Sequence, residues 1–159
     1  MINHPFPPLY DGDSRVLILG SFPSVKSREQ MFFYGHPQNR FWKVTASVFG
    51  CPVPQTINEK REFLRENRIA LWDVIASCEI TGSSDSSIKN VVPNDLQPIL
   101  DAANIKSIFV NGRAAQKYYI KYQEPILKRN ALYLPSTSPA NAAMSIDKLI
   151  EKWKIITEI

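Results

Sequence analysis

The feature that most constrains this chain is a set of four short, β-rich apolar runs separated by stretches with helical periodicity. The runs are Val16 to Gly20 (VLILG), Ile69 to Ile75 (IALWDVI), Ser107 to Gly112 (SIFVNG) and Ala131 to Leu134 (ALYL). Continuous apolar runs of this length suit strands buried on both faces. Between the first two, Phe41, Trp42, Ala46 and Phe49 recur at helical spacing, with Asn39 as an N-cap and Gly50 and Pro52 as a stop. Further helices are predicted over residues 58–67, 94–103 (with Asn94 as its cap), 113–123 and 145–157. Strands alternating with helices predict an α/β fold with a mostly parallel sheet.

With 159 residues, 44% hydrophobic and 21% charged, the chain reads as a single domain over 1–159 with a proper core. No apolar run approaches the ~20 residues that span a bilayer, so no membrane partner is expected. The opening MINHPFPPLYDGDS lacks the basic and apolar regions of a secretory signal and reads as an extended Pro-rich lead-in. Cys51 and Cys78 are too few for a four-thiolate iron–sulfur or zinc site. They fit a single disulfide or, in the preferred cytoplasmic setting, free thiols. His4 and His36 are the only histidines, so neither a metal nor another cofactor is expected. The net charge of +4 is compatible with a polyanion as partner.

In open parallel sheets, ligands bind beyond the carboxyl ends of the strands. That rule selects Ser21 to Ser24, the surroundings of Asp73, Asn111-Gly112, and residues 135–141. The chain has no GxxxxGK[ST] phosphate loop, no GxGxxG after a strand and no GxSxG elbow. It has instead LGSFPS after the first run and LPSTSP after the fourth. Small and hydroxyl residues at strand ends let backbone N–H groups approach an anion, and they are also ordinary turn formers.

The pairing of GSFPS with FFYGHPQNRFWKV and a later LPSTSP resembles the uracil-DNA glycosylase superfamily. Within it, the GSFPS form and the Ser-rich second motif most resemble the hypoxanthine-DNA (deoxyinosine) glycosylases. The resemblance runs from about Val16 to the closing helix. It implies a three-layer α/β/α fold around a central four-stranded, mostly parallel sheet. It also implies a monomeric, monofunctional enzyme of base excision repair that hydrolyses the N-glycosidic bond of a deaminated base in DNA, preferably hypoxanthine. The alternatives are uracil or mismatch specificity, and a DNA-binding relative without catalysis. The chain departs from its relatives at two positions. Phe22 stands where the uracil-specific branch carries a water-orienting Asp and the mismatch-specific branch an Asn, and Leu134 stands where the uracil branch carries a His that bonds the leaving base.

Base cleavage inside a duplex requires flipping the nucleotide into a pocket, with donors for the base and an acceptor for the water proton. The resemblance places the catalytic group at Asn39, whose amide can accept from water and donate to sugar or phosphate; its other reading is the N-cap. Tyr34 matches an aromatic that stacks on the flipped base, or is a core aromatic, as Phe32 and Phe33 are expected to be. Backbone N–H groups at Ser21 and Phe22 are candidate donors to the base. Asp73 stands where relatives that read uracil carry an Asn; a carboxylate there would accept N1–H of hypoxanthine, or else cap a turn. His36 is a candidate leaving-group acid, or a histidine bonded to backbone. Pro23, Ser24, Ser136, Thr137, Ser138, Pro139 and Asn141 are expected to meet DNA. Pro139 and Ala140 are the only apolar residues available there as a wedge. Arg113, Lys117 and Lys121 share a helix face and read as solvated or phosphate-facing.

Overall fold

The strand over Val16–Gly20 is buried along its whole length, and the rest of the fold is arranged around that burial. The computed structural model describes residues 1–158. In chain order it contains β1 (Ile2–Asn3), β2 (Val16–Gly20), α1 (Val25–Gln30), α2 (Phe41–Phe49), α3 (Ile57–Glu66), β3 (Ile69–Asp73), β4 (Ile75–Glu79), β5 (Lys89–Pro93), α4 (Gln97–Ala102), β6 (Ser107–Asn111), α5 (Arg113–Tyr122), α6 (Glu124–Leu127), β7 (Leu132–Leu134) and α7 (Ile146–Trp153). Strands β3-β2-β6-β7 form a four-stranded sheet in that order, every pair parallel. All five residues of β2 and of β3 are buried, as expected of a parallel sheet flanked by helices on both sides.

The continuity expected of the second apolar run, Ile69 to Ile75, does not hold. The chain leaves the parallel sheet after Asp73, and Ile75–Glu79 becomes β4 in a second sheet, β1-β4-β5, paired antiparallel on both sides. The break sets Asp73 at the carboxyl end of β3, opposite Gly20 in the parallel register. The opening segment is likewise more than a lead-in. Ile2 pairs with Cys78, and Leu9 exchanges both backbone hydrogen bonds with Leu71, closing the edge of β3.

Helix ends follow local chemistry. Thr56 and Glu59 form a reciprocal capping box on α3, and Ser145 caps α7. Gly50 ends α2 at φ 66°, a left-handed conformation that suits glycine. Asn94 does not cap α4, which begins at Gln97; its Nδ2 instead donates to the Asp73 carbonyl at 2.8 Å. Helices α2 and α7 meet where Phe41 crosses Trp153 edge-on at 5.8 Å between ring centroids, both side chains fully buried. Cys51 and Cys78 are unpaired. No helix among the described residues is long and apolar enough to cross a membrane.

Candidate active site

Four loops converge at the carboxyl ends of the parallel strands and enclose a cavity of about 300 Å³. Its walls come from residues 20–24 after β2, from the turn at 33–39, from Asp73, Asn111 and the Asp85 loop, and from residues 136–140 after β7. Except for Asn141 and the three basic residues of α5, every residue singled out from sequence as a candidate catalytic, base-binding or DNA-contacting group lines this cavity.

Asp73 forms its floor. The residue is buried, and Oδ2 lies 2.7 Å from His4 Nε2. Oδ1 makes no hydrogen bond among the described residues and lies over Gly20, where a Cβ would overlap it. Gly20 is thus the residue whose lack of a side chain lets the carboxylate reach the cavity. Tyr34 stands beside the same gap; a Cβ on Gly20 would come within 3.4 Å of its hydroxyl. That hydroxyl is buried and unpartnered among the described residues. Burial and the neighbouring Asp73 charge push its pKa well above the ordinary phenol value. Tyr34 is held at φ 51°, a costly conformation for an aromatic residue. Its ring stacks on Phe41 at 4.1 Å and its carbonyl accepts from Trp42 Nε1, so one ring face is already occupied. Phe32 and Phe33 are core residues, as their spacing implied.

The GHPQNRFW turn is braced from within. His36 Nδ1 accepts from the Gln38 N–H at 3.0 Å, and its carbonyl accepts from the Asn39 N–H. Asn39 Oδ1 accepts from the Phe41 N–H at 2.9 Å. It therefore satisfies an orphan donor at the start of α2 from one position before the formal cap, Arg40, whose side chain makes no cap bond. A carbonyl oxygen has a second lone pair, so Asn39 Oδ1 and Nδ2 retain capacity on the cavity side.

The second motif is mostly tied to itself. Thr137 is fully buried, its N–H donating to Asn111 Oδ1 and its hydroxyl accepting from Asn111 Nδ2. That leaves its side chain no surface for a phosphate, contrary to the expectation from sequence. Ser136 Oγ accepts from the Ser138 N–H, Ser138 Oγ from the Ala140 N–H, and Asn141 Nδ2 donates to the Ser136 carbonyl. Pro139 opens a 3-10 turn over Pro139–Asn141, with Ala140 exposed beside it. Leu134 is buried in the core and presents no group to the cavity.

At the opposite wall, Phe22 is buried, touched edge-on by His4 and covered by the Arg28 guanidinium. Ser24 caps α1, and Arg28 fastens the neighbouring loop by donating to the carbonyls of Pro23 and Gly82. Ser21 Oγ donates to Asp85 Oδ1 at 2.9 Å. The Asp85 loop is exposed on its outer side, yet the carboxyl faces the cavity, and desolvation there raises its pKa despite the Ser21 bond. The three basic residues of α5 lie away from the cavity; Arg113 stacks over Tyr133 at 4.0 Å.

Four contributors were not assigned a role from sequence. His4 is a lone histidine in a Pro-rich opening, and only the β1–β4 pairing brings it to Asp73. Asp85 sits in a polar loop with no periodicity. Asn111 was marked only as a strand end. Arg40 was visible within the motif, but its partners, the carbonyls of Asn141 and Met144, are about a hundred positions away.

Comparison with known proteins agrees with this geometry. The family model described as the uracil DNA glycosylase superfamily matches residues 7–158. A hypoxanthine DNA glycosylase of Methanosarcina barkeri is 37% identical over 126 residues, covering 77% of this chain and 76% of the relative. One from Methanosarcina acetivorans is 34% identical over 161 residues, covering 98% of each. A solution NMR structure of a Methanosarcina acetivorans protein, described as a candidate uracil DNA glycosylase, superposes with a TM-score of 0.84. It is 31% identical and covers 99% of this chain and 98% of its own. With a matching family model across nearly its whole length, relatives above 30% identity and the cavity at the expected strand ends, the chain belongs to the uracil DNA glycosylase superfamily.

Proposed function

We propose that this protein is a monofunctional DNA glycosylase that hydrolyses the N-glycosidic bond of deaminated nucleotides, hypoxanthine in preference to uracil. The observation that carries the reading is the Asp73 carboxylate at the floor of an aromatic-walled cavity, with Oδ1 unbonded among the described residues. A carboxylate only accepts, so it suits a base edge that carries a ring N–H, which hypoxanthine has at N1 and uracil at N3. The names of the two Methanosarcina relatives support hypoxanthine as that base.

In this reading the nucleotide leaves the duplex and its base enters the cavity. Asn39 stands at the rim. The Phe41 N–H fixes its amide plane, and the free lone pair of Oδ1 accepts a hydrogen bond from the attacking water and orients it, the water proton passing to solvent once the oxygen has bonded to the sugar. Nδ2 donates to the sugar or phosphate. Cleavage builds negative charge on the base, and the Phe22 N–H, which has no acceptor among the described residues, stabilises it in this reading. His36 uses Nδ1 for the turn, which leaves Nε2 for a proton or hydrogen bond to the leaving base. Pro23, Ser24, Ser138 and Pro139 border the mouth, where the DNA backbone passes.

The test is base release from oligonucleotides with a single deoxyinosine or deoxyuridine, read as strand cleavage after alkali. Wild type is expected to release hypoxanthine faster than uracil. Asn39→Ala is expected to lower the single-turnover rate by roughly 10²- to 10³-fold, as for loss of one catalytic polar group. Release of neither base by wild type would refute the reading, and faster release of uracil would reverse the preference.

A further inference from the structure

His4 has no place in the chemistry just described, yet it is built into the site at some cost. Its side chain is 3% exposed. Phe6 and Trp72 lie 4.6 and 4.4 Å from its ring, with Phe22 and Phe33 completing the cage. Nε2 bonds to Asp73 Oδ2, but Nδ1 is buried without a partner among the described residues. A phenylalanine would fill such a cage without an orphaned nitrogen. The one polar contact the ring makes is with the residue whose other oxygen faces the cavity.

We propose that His4 is a specificity-determining positioning residue: by donating from Nε2 to Asp73 Oδ2 it holds the carboxylate with Oδ1 as a bare acceptor over Gly20, so that the cavity selects bases whose ring nitrogen carries a hydrogen. This rests on the glycosylase reading above and adds the basis of its selectivity. Hypoxanthine presents N1–H to Oδ1. Adenine, from which hypoxanthine arises by deamination, presents the N1 lone pair at the same point, and two acceptors face each other with no proton between them. Undamaged adenine would thereby be refused at the step of base entry. Two features hold the acceptor in place. Gly20 has no side chain to displace Oδ1. The Asp73 backbone is fixed as well, because its carbonyl accepts from Asn94 Nδ2 and Asn94 is itself held by Gln123.

The arrangement predicts selection, not speed. A carboxylate beside a base that gains negative charge opposes cleavage, so its benefit lies in which base is admitted. That separates the proposal from a rival in which Asp73 and His4 activate the attacking water. A water-activating pair would serve every substrate alike.

The experiment compares single-turnover release of hypoxanthine and of unsubstituted purine, which has a bare N1, from matched oligonucleotides. It uses wild type, Asp73→Ala, His4→Phe and His4→Gln, each checked for folding by circular dichroism. Comparing ratios between proteins cancels the intrinsic difference between the two leaving groups. The hypoxanthine-to-purine ratio is expected to fall roughly 10- to 100-fold in Asp73→Ala and in His4→Phe. His4→Gln, which keeps an N–H near the Nε2 position, is expected to retain most of it. His4→Asn, whose amide is too short to reach Asp73, replaces His4→Phe if that variant does not fold. If the variants slow both substrates equally, the proposal is overturned while the glycosylase reading stands. If wild type releases no base at all, both fall.

Discussion

Arg40 ties the first motif to the second, and its removal gives a measurable prediction. Its guanidinium donates to the Met144 carbonyl and, at 2.9 Å, to the Asn141 carbonyl; its backbone N–H donates to the Thr137 carbonyl. Arg40→Ala removes the two side-chain bonds and leaves the backbone one. Hydrogen bonds from a charged group contribute about 1.5–3 kcal/mol each. The Arg40 site is partly solvated, so water replaces some of this, and a total of about 2–4 kcal/mol is expected. At about 1.4 kcal/mol per factor of ten, the loop after β7 should open roughly 30- to 1000-fold more often. The assay is hydrogen exchange at the amides of Ala140, Asn141 and Met144, whose acceptors all lie within that loop. Exchange should accelerate there while the β2 and β6 amides keep their protection. Arg40→Lys should recover only part of the effect, since one ammonium lacks the forked geometry that reaches two carbonyls. Unchanged exchange in Arg40→Ala would refute the reasoning. It would mean that the Asn111–Thr137 and Asn141–Ser136 bonds hold the loop unaided.

Gly20→Ala places a methyl group against Asp73 Oδ1 and near the Tyr34 hydroxyl. Overpacking of this kind costs about 1–3 kcal/mol, and base release should fall more than thermal stability does; full activity would show that the carboxylate can shift freely. Asp85→Asn tests the pH dependence. The folded pKa of Asp85 is raised, so the native state holds its proton more tightly than the unfolded chain, and ionisation costs stability as pH rises through that window. The variant should melt higher than wild type at pH 7, and the difference should close below about pH 4; a gap that grows on acidification would contradict this. The same change removes a negative charge from the cavity mouth and should tighten DNA binding, most visibly at low salt.

The central sheet is legible because its strands are apolar on both faces. VLILG admits few other placements, and all four parallel strands fall within a residue or two of the apolar runs. The second sheet is hidden for the complementary reason. No Gly or Pro marks the change of sheet at Val74, and β5 is almost wholly exposed, so it carries no hydrophobic signal. Helix α1 is six mostly polar residues and shows no apolar stripe. At the site, residues within the two motifs could be named because motif spacing is local. His4, Asp85 and the partners of Arg40 act through contacts 64 to 104 positions long or through pairing in the hidden sheet, which periodicity does not encode.

The β1–β4 pairing also orders the events of biosynthesis. His4 is made 69 positions before its partner, and the strand just before it is anchored on Ser77 and Cys78. The opening segment therefore has no docking surface while the first half of the chain is being translated. It must wait until β4 exists and then close one of the longest loops in the molecule, a step whose entropy is repaid only by contacts made on arrival. On the ribosome, the parallel sheet can begin to assemble before the floor of the cavity has its final shape, and a chain caught at that stage would have a fold without a finished reader.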